Sequence, residues 1–300
     1  MKILVTGAGG MLGRAICEEL ENERLDYVAW LNKTTDDSNK IFRGDLTDFS
    51  LVDKILKSVD FEAIIHCAAL TDVNYCESNK TKSYNLHVKA SEHLAKRFPD
   101  SRFVYVSTDS VYGGIQGNSN ETSLLNPVNY YAFSKLIGEE RVQQNNKNYL
   151  ILRTNIYGMH SPFTGKSLAE WALLQVRNRQ KFKGYGNVKF NPVYVGQLAK
   201  IIVKNLIFSK KTGIYNIGSE EIVSKFDFLR EILLSFYQND DLIEESFIES
   251  SINGVPRPLN TSISVEKFKA DFDELITLKS GIIDFKTKFN QYVQENPNWG

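Results

Sequence analysis

An apolar run, Ile3-Leu4-Val5, leads directly into Thr6-Gly7-Ala8-Gly9-Gly10-Met11-Leu12-Gly13, and this opens an amphipathic stretch over residues 11–21. No other feature restricts the fold as strongly. A short apolar run that ends in a glycine turn and opens a helix reads as a buried strand, a tight reversal and a helix laid back across it. Gly7 can take the tight turn, Gly10 lets the backbone come close to a ligand, and Gly13 lets helix and strand pack closely. Leu12, Ala15, Ile16 and Leu20 fall on one helical face, so the helix has an apolar side to lay on a sheet.

The sequence that follows keeps this rhythm. Strand-like runs lie at 27–31, Ile41-Phe42, 63–66, 103–106 and Leu150-Ile151-Leu152. Between them, Asp48 caps a helix carrying Leu51, Ile55 and Val59, a long helix over 78–97 carries Leu86, Ala90 and Leu94, and 130–144 reads as helix. The alternation predicts an α/β fold, a doubly wound (Rossmann) parallel sheet, over residues 1–157. Past Tyr157 the rhythm loosens, with helical patterns at 167–176, 196–208, 225–236 and 282–293 and a strand-like run at 214–217. A smaller mixed substrate-binding lobe is expected over 158–300, some of whose segments can return to the sheet.

Charge and composition exclude several classes of partner. Among 300 residues, Lys and Arg total 36 and Asp and Glu total 36, with no long basic run, so neither nucleic acid nor an anionic membrane has an electrostatic footprint. No apolar run approaches the ~20 residues needed to cross a bilayer. The 3 cysteines, Cys17, Cys67 and Cys76, cannot all pair and are too scattered for a zinc site. His87 and His93 stand six apart on their helix, which is not the spacing of a metal pair, and no metal site is expected. With the first strand beginning beside Met1, a soluble cytoplasmic protein without a leader is expected.

The glycine turn also predicts a ligand. The N-terminus of the helix at 11–21 presents free N–H groups and partial positive charge, so Gly7, Gly10, Met11 and Leu12 can cradle a pyrophosphate. The second strand ends in Trp30-Leu31-Asn32-Lys33, with no acid before Asp36. A carboxylate there would bind the adenosine 2′-hydroxyl of NAD, whereas a cation suits the 2′-phosphate of NADP. Asn32 and Lys33 therefore point to NADP in preference to NAD, although Lys33 also reads as a solvated loop lysine. Asp45-Leu46 follows the third strand and flanks the adenine, or serves as a turn.

The reacting end is predicted further along. Tyr131-Ala132-Phe133-Ser134-Lys135 opens a helix, placing Tyr131 and Lys135 at i and i+4 on one face. A phenol of pKa ~10 is a poor acid–base group at neutral pH, and a neighbouring ammonium favours its phenolate. Such a phenol can give a proton to a carbonyl as hydride arrives. Ser107-Thr108-Asp109 ends the preceding buried strand, at the sheet edge where ligands bind in open α/β folds.

Together these residues resemble the extended short-chain dehydrogenase/reductases. The resemblance rests on Thr6-Gly7-x-x-Gly10-x-x-Gly13, Asp45-Leu46, His66-Cys67-Ala68-Ala69, Ser107-Thr108-Asp109 and Tyr131-x-x-x-Lys135. Ala68-Ala69-x-Thr71-x-Val73-x-x-Cys76-Glu77, Asn126-Pro127-x-x-x-Tyr131 and Arg257-Pro258-x-Asn260-Thr261-Ser262 are similar to the dTDP-4-dehydrorhamnose reductases and related nucleotide-sugar reductases. The resemblance implies NAD(P)H-dependent reduction of a nucleotide-linked 4-keto-6-deoxy sugar. Thr108 would polarise the carbonyl, Tyr131 donate the proton, and Lys135 bind the nicotinamide ribose. Ala68, Ala69 and Thr71 would line the dinucleotide, and Thr71, Val73, Thr108, Asp109, Asn155 and Arg257 the sugar nucleotide. Arg257 suits a diphosphate, or a surface salt bridge. The family also implies a homodimer through the helices at 78–97 and 130–144.

Arg153-Thr154-Asn155-Ile156-Tyr157-Gly158 lacks the tryptophan that rhamnose reductases carry beside the sugar. Asp109 is followed by Ser110 rather than glutamate, which disfavours a dehydratase. His160 can face the sugar, but a loop histidine without a partner reads as structural. Two alternatives stay open: a nucleotide-sugar 4-epimerase with the same Thr/Tyr/Lys core, and a non-catalytic cofactor-binding subunit like the regulatory β subunit of methionine adenosyltransferase.

Overall fold

The computed structural model describes residues 1–32, 40–249, 251–252 and 254–299. Seven strands, β1 (Lys2–Thr6), β2 (Asp26–Leu31), β3 (Ile41–Arg43), β4 (Ala63–His66), β5 (Arg102–Val106), β6 (Tyr149–Thr154) and β7 (Gly213–Ile217), form one sheet in the order β7-β6-β5-β4-β1-β2-β3. Every pairing is parallel. The order reverses on either side of β1, which creates a crevice at the carboxyl ends of the strands. The chain is thus a doubly wound α/β fold.

Alternate side chains of each strand feed opposite cores. Ile3, Val5, Ile65, Val104, Leu150 and Leu152 join the core beneath α1 (Met11–Asn22), which contributes Leu12, Ile16 and Leu20. Leu4, Ile64, Phe103, Tyr105 and Ile151 join the other, covered by α2 (Phe49–Leu56), by the helical run α3 over 80–97 and by α4 (Tyr130–Asn145). Asp48 caps α2, its carboxylate accepting from the Leu51 N–H at 3.1 Å. Gly13 marks the close contact of α1 with the turn: a Cβ there would overlap the Gly7 carbonyl and lie 2.8 Å from Ala8 Cα.

The helix expected over 78–97 is interrupted. Val73–Ser78 is a separate turn of helix, Asn79 leaves helical geometry, and within α3 residues Asn85–Ala90 form a π-helical turn. The wider turn leaves the His87 carbonyl to side chains, and it accepts from Ser91 Oγ at 2.7 Å and from the Tyr105 hydroxyl at 3.4 Å.

Past residue 157 the chain serves both the sheet and a lobe. β7 pairs with β6, and the helix over 195–206 places Leu198, Ile202 and Leu206 in the α1-side core. Part of the remainder packs around an aromatic group in which Tyr157 meets Phe228 and Phe285 at ring-centroid distances of 4.9 and 6.0 Å. Among the described residues, no helix is long and apolar enough to cross a membrane.

Candidate active site

A cleft of about 1180 Å³ runs across the carboxyl ends of the strands. One end is walled by Trp30, Leu31, Asn32, Asp45 and Leu46. Trp30 Nε1 fixes this wall by donating to the Gly44 carbonyl at 2.8 Å, and Asp45 accepts from the Thr47 N–H at 2.8 Å while facing the cleft. Asp45 is thus a turn residue that also lines the cleft. Lys33 and Asp36 lie outside the described residues.

The middle is the glycine turn. Gly7 has φ +66°, and a Cβ on it would stand 2.6 Å from the Ala68 amide nitrogen, so β1 and the segment after β4 can meet only with glycine here. That close approach brings Ala68, Ala69 and Thr71 to the cleft beside Gly10, Met11 and Leu12. Gly10 supplies no side-chain cap to α1, so the amides of the first turn remain available to an anion. At the other end Thr154 keeps a buried hydroxyl without a hydrogen-bond partner among the described residues. An uncapped helix start, a cradle that admits no extra Cβ and an orphaned hydroxyl in one cleft fit a dinucleotide.

At the far end stand Thr108, Tyr131 and Lys135. Thr108 follows β5 and caps the short turn Asp109–Tyr112, accepting from the Ser110 N–H at 3.2 Å. α4 starts where Asn129 accepts from the Ala132 N–H at 3.0 Å and Glu77 accepts from the Tyr130 N–H at 3.0 Å. Those two anchors set the rotation that turns Tyr131 and Lys135 inward together.

The electrostatics differ from the expectation of a phenol already lowered by its lysine. Burial pushes the Tyr131 phenol up to about 12, against the opposing pull of the Thr108 hydroxyl. Burial also pushes Lys135 down to about 7, with Glu139 opposing it. The Lys135 ammonium donates to the Val106 carbonyl at 2.7 Å and lies 3.9 Å from the centroid of the Tyr105 ring. In this dry pocket desolvation outweighs the pairwise attraction.

Asn155 Nδ2 donates to Asp109 Oδ2 at 2.8 Å, and both residues line the cleft. Burial raises the Asp109 carboxyl, and hydrogen bonds from Thr261, Asn155, Thr108 and Ser110 oppose the shift. Val73 and Arg257 do not line the cleft. Val73 opens the helix Val73–Ser78, and Arg257 Nη2 donates to Asn74 Oδ1 at 2.7 Å rather than forming a salt bridge.

Two residues not singled out by the sequence, Glu170 and Lys225, stand near the cleft, and the loop histidine joins them. His160 lines it and has a partner after all: its Nδ1 lies 2.8 Å from Oε2 of Glu170. Ser167-Leu168-Ala169-Glu170 has the spacing of a capping box, and that signature was available to find Glu170. Lys225 lies close enough to Asp109 for their charges to interact, and burial lowers its ammonium. Among the described residues, no group of His, Cys, Asp and Glu is arranged to hold a metal ion.

Comparison with known proteins gives the chain a family. The family model described as the RmlD substrate binding domain matches residues 1–290. The spore coat polysaccharide biosynthesis protein SpsK of Bacillus subtilis is 27% identical over 277 residues, covering 88% of this chain and 89% of its own. A dTDP-4-dehydrorhamnose reductase of Aggregatibacter actinomycetemcomitans is 27% identical over 292 residues, covering 90% and 93%. In fold, the crystal structure of dTDP-4-dehydrorhamnose reductase from Bacillus anthracis in complex with NADP superposes with a TM-score of 0.83 at 24% identity, covering 96% of this chain and 99% of that one. The chain belongs to the RmlD substrate-binding-domain family and is an oxidoreductase of the short-chain dehydrogenase/reductase fold.

Proposed function

We propose that the protein reduces the keto group of a nucleotide-linked 4-keto-6-deoxy sugar with a nicotinamide cofactor, NADP in preference to NAD, in a reaction of the dTDP-4-dehydrorhamnose reductase type. The observation that carries this reading is the convergence of Thr108, Tyr131 and Lys135 on the cleft that also holds the glycine turn. When bound, the cofactor supplies hydride to the carbonyl carbon. The Tyr131 phenol, kept protonated by burial, donates its proton to the carbonyl oxygen, and the Thr108 hydroxyl hydrogen-bonds the same oxygen. Lys135 stands near 7, so an anionic ligand in the cleft favours its ammonium, which then stabilises the phenolate left behind. Thr71, Asp109 and Asn155 face the sugar. Arg257 reaches a diphosphate only by releasing Asn74, and Val73 acts by holding the helix that carries Asn74.

NADP is favoured by the cationic Lys33 after β2 and by the NADP in the Bacillus anthracis reductase crystal. Free Cys17, Cys67 and Cys76 support a cytoplasmic setting, and a homodimer through α3 and α4 follows from the family resemblance alone. The test is NADPH oxidation against a panel of nucleotide-linked 4-keto sugars. Turnover with at least one is expected, and Tyr131→Phe should lower kcat about 10²–10³-fold while cofactor affinity stays within about twofold. Wild-type rates in Tyr131→Phe would remove it as the proton donor. Interconversion of sugars over a retained cofactor would instead indicate a 4-epimerase. A stoichiometric protein partner without any turnover would indicate a binding subunit.

A further inference from the structure

The loop between the short strand Ile156–Tyr157 and the helix Leu168–Arg177 is built around a carboxylate. Glu170 is wholly buried, and the donors to its oxygens come from this loop. Oε1 accepts from the N–H of His160 at 2.7 Å and of Thr164 at 3.4 Å. Oε2 accepts from the N–H of Lys166 and of Ser167, each at 3.1 Å, and from the Thr164 hydroxyl at 3.3 Å. Burial would raise this carboxyl, but the His160 ring and the loop amides override it and hold it at about 2. The remaining donor is His160 Nδ1, 2.8 Å from Oε2. A carboxylate can only accept, so Nδ1 carries the hydrogen and Nε2 is the ring nitrogen left for a ligand.

The loop is fastened where a ligand would pass. The Ser167 hydroxyl donates to the Gly158 carbonyl at 2.6 Å, and a Cβ at Gly158 would lie 3.5 Å from Sδ of Met11, at the start of α1. Gly158, at the start of the loop, thus lies between Val195 and Met11, and His160, 27% exposed at its side chain, faces the cleft. The orphaned Thr154 hydroxyl lies in the same wall. The adenine end of the cleft lies on the opposite side, at β2 and β3, whereas β6 stands beside the strand that leads to Thr108.

We infer that His160, positioned by Glu170, contacts the nicotinamide half of the bound dinucleotide, with loop 158–168 clamping that half against Met11. The inference rests on the cofactor reading above. Its ligand chemistry is that of a nicotinamide mononucleotide, whose ribose hydroxyls and carboxamide N–H can donate to the unprotonated Nε2.

Dissociation constants of the full chain for NADPH, reduced nicotinamide mononucleotide and 2′,5′-ADP test it. Wild-type protein that binds neither NADPH nor NADH would defeat the cofactor reading itself. If wild type binds, His160→Ala should weaken NADPH and the mononucleotide about tenfold and leave 2′,5′-ADP within about twofold. Glu170→Gln should show the same pattern, and the double variant should be no weaker than either single one. In ¹⁵N spectra the His160 ring should carry its hydrogen on Nδ1 in wild type and lose that preference in Glu170→Gln. Because the His160 ring is partly exposed, His160→Ala carries the test even if Glu170→Gln fails to fold. An NADPH loss below twofold in His160→Ala, or an equal loss for 2′,5′-ADP, overturns the inference.

Discussion

Two buried imidazoles support the site without entering its chemistry. Thr6 Oγ1 donates to His66 Nδ1 at 2.7 Å, and His66 Nε2 donates to Ser91 Oγ at 3.0 Å, because the Ser91 proton is committed to the His87 carbonyl. The Leu70 N–H donates to His87 Nε2 at 2.9 Å, so His87 Nδ1 carries the hydrogen and donates to Ser134 Oγ at 2.8 Å. Ser134 in turn donates to the Tyr131 carbonyl at 3.1 Å. Neutral rings thus tie the segment over 66–70 to the start of α4. Burial first, and then the Lys135 charge, push both rings from 6.5 down to about 3. The unfolded chain therefore binds more protons than the folded one between those values, and stability falls as pH drops below about 6.5. Each ring contributes a slope of at most about 1.4 kcal/mol per pH unit. Glu170, held at about 2, adds its own loss only below its ordinary 4.5, and Lys135, held at about 7 against its ordinary 10.5, adds one only above 7, so the decline between about 4.5 and 6.5 belongs to the histidines. Urea unfolding at several pH values across this window should show the decline, and His66→Gln should remove about half of the slope. Identical slopes in the two proteins would show that His66 is not the titrating group.

At the scale of elements, the pairing of α3 with α4 decides where Tyr131 and Lys135 point. Gly138 lies on α4 at the closest approach, and a Cβ there would overlap the His87 carbonyl and the Tyr105 hydroxyl, with Tyr105 Cζ at 3.1 Å. Neither acceptor nor ring can retreat easily, since Tyr105 is fully buried and the His87 carbonyl belongs to the π turn. Gly→Ala in a helix ordinarily gains ~1 kcal/mol. Here the sign should reverse, with Gly138→Ala losing about 1–3 kcal/mol from overpacking and also slowing catalysis as Tyr131 and Lys135 tilt. Thermal unfolding beside a kcat measurement checks both, and a stabilised, fully active variant would contradict the packing argument. The same region shows what a pattern of residues can and cannot reveal. Local rules make β1, β4, α1 and the Asp48 cap readable, because alternation, a glycine turn and an acidic cap act over a few residues. The π turn was not readable, since Leu86, Ala90 and Leu94 keep helical spacing while the His87 carbonyl is taken by Tyr105 from another strand. Glu170 is readable as a capping residue, but its grip on His160 depends on how the loop folds back. Thr108, Tyr131 and Lys135 were readable as candidates only because strand ends and helix starts place them in predictable positions.

The whole molecule closes the site through a strand from late in the chain. Arg153 on β6 donates to Glu139 on α4 at 2.7 Å and to the Tyr112 hydroxyl at 2.9 Å, and Tyr112 donates to Asn216 Oδ1 on β7 at 2.8 Å. Ser107, the neighbour of Thr108, donates to the same Glu139 carboxylate. A buried Arg–carboxylate pair is safe only while its remaining donors are met, because an uncompensated charge in a dry interior is strongly destabilising. Asn216 carries this chain of bonds on to the Ser119 carbonyl at 2.8 Å, and it lies far beyond residue 157, where the alternating strand–helix rhythm ends. Cutting the chain after 157 would leave β6 as an unpaired edge carrying Leu150, Ile151 and Leu152, all fully buried in the intact protein. It would also uncover the α1-side core that Leu198, Ile202 and Leu206 seal. A fragment of residues 1–157, although it holds the glycine turn and the three residues proposed to react, should therefore aggregate or remain unfolded and bind no NADPH. Size-exclusion chromatography, circular dichroism and a cofactor titration on that fragment decide the matter. A monomeric, folded fragment with the affinity of the full chain would mean that β7 and its Asn216 are dispensable, and that the cofactor site is complete in the first half alone.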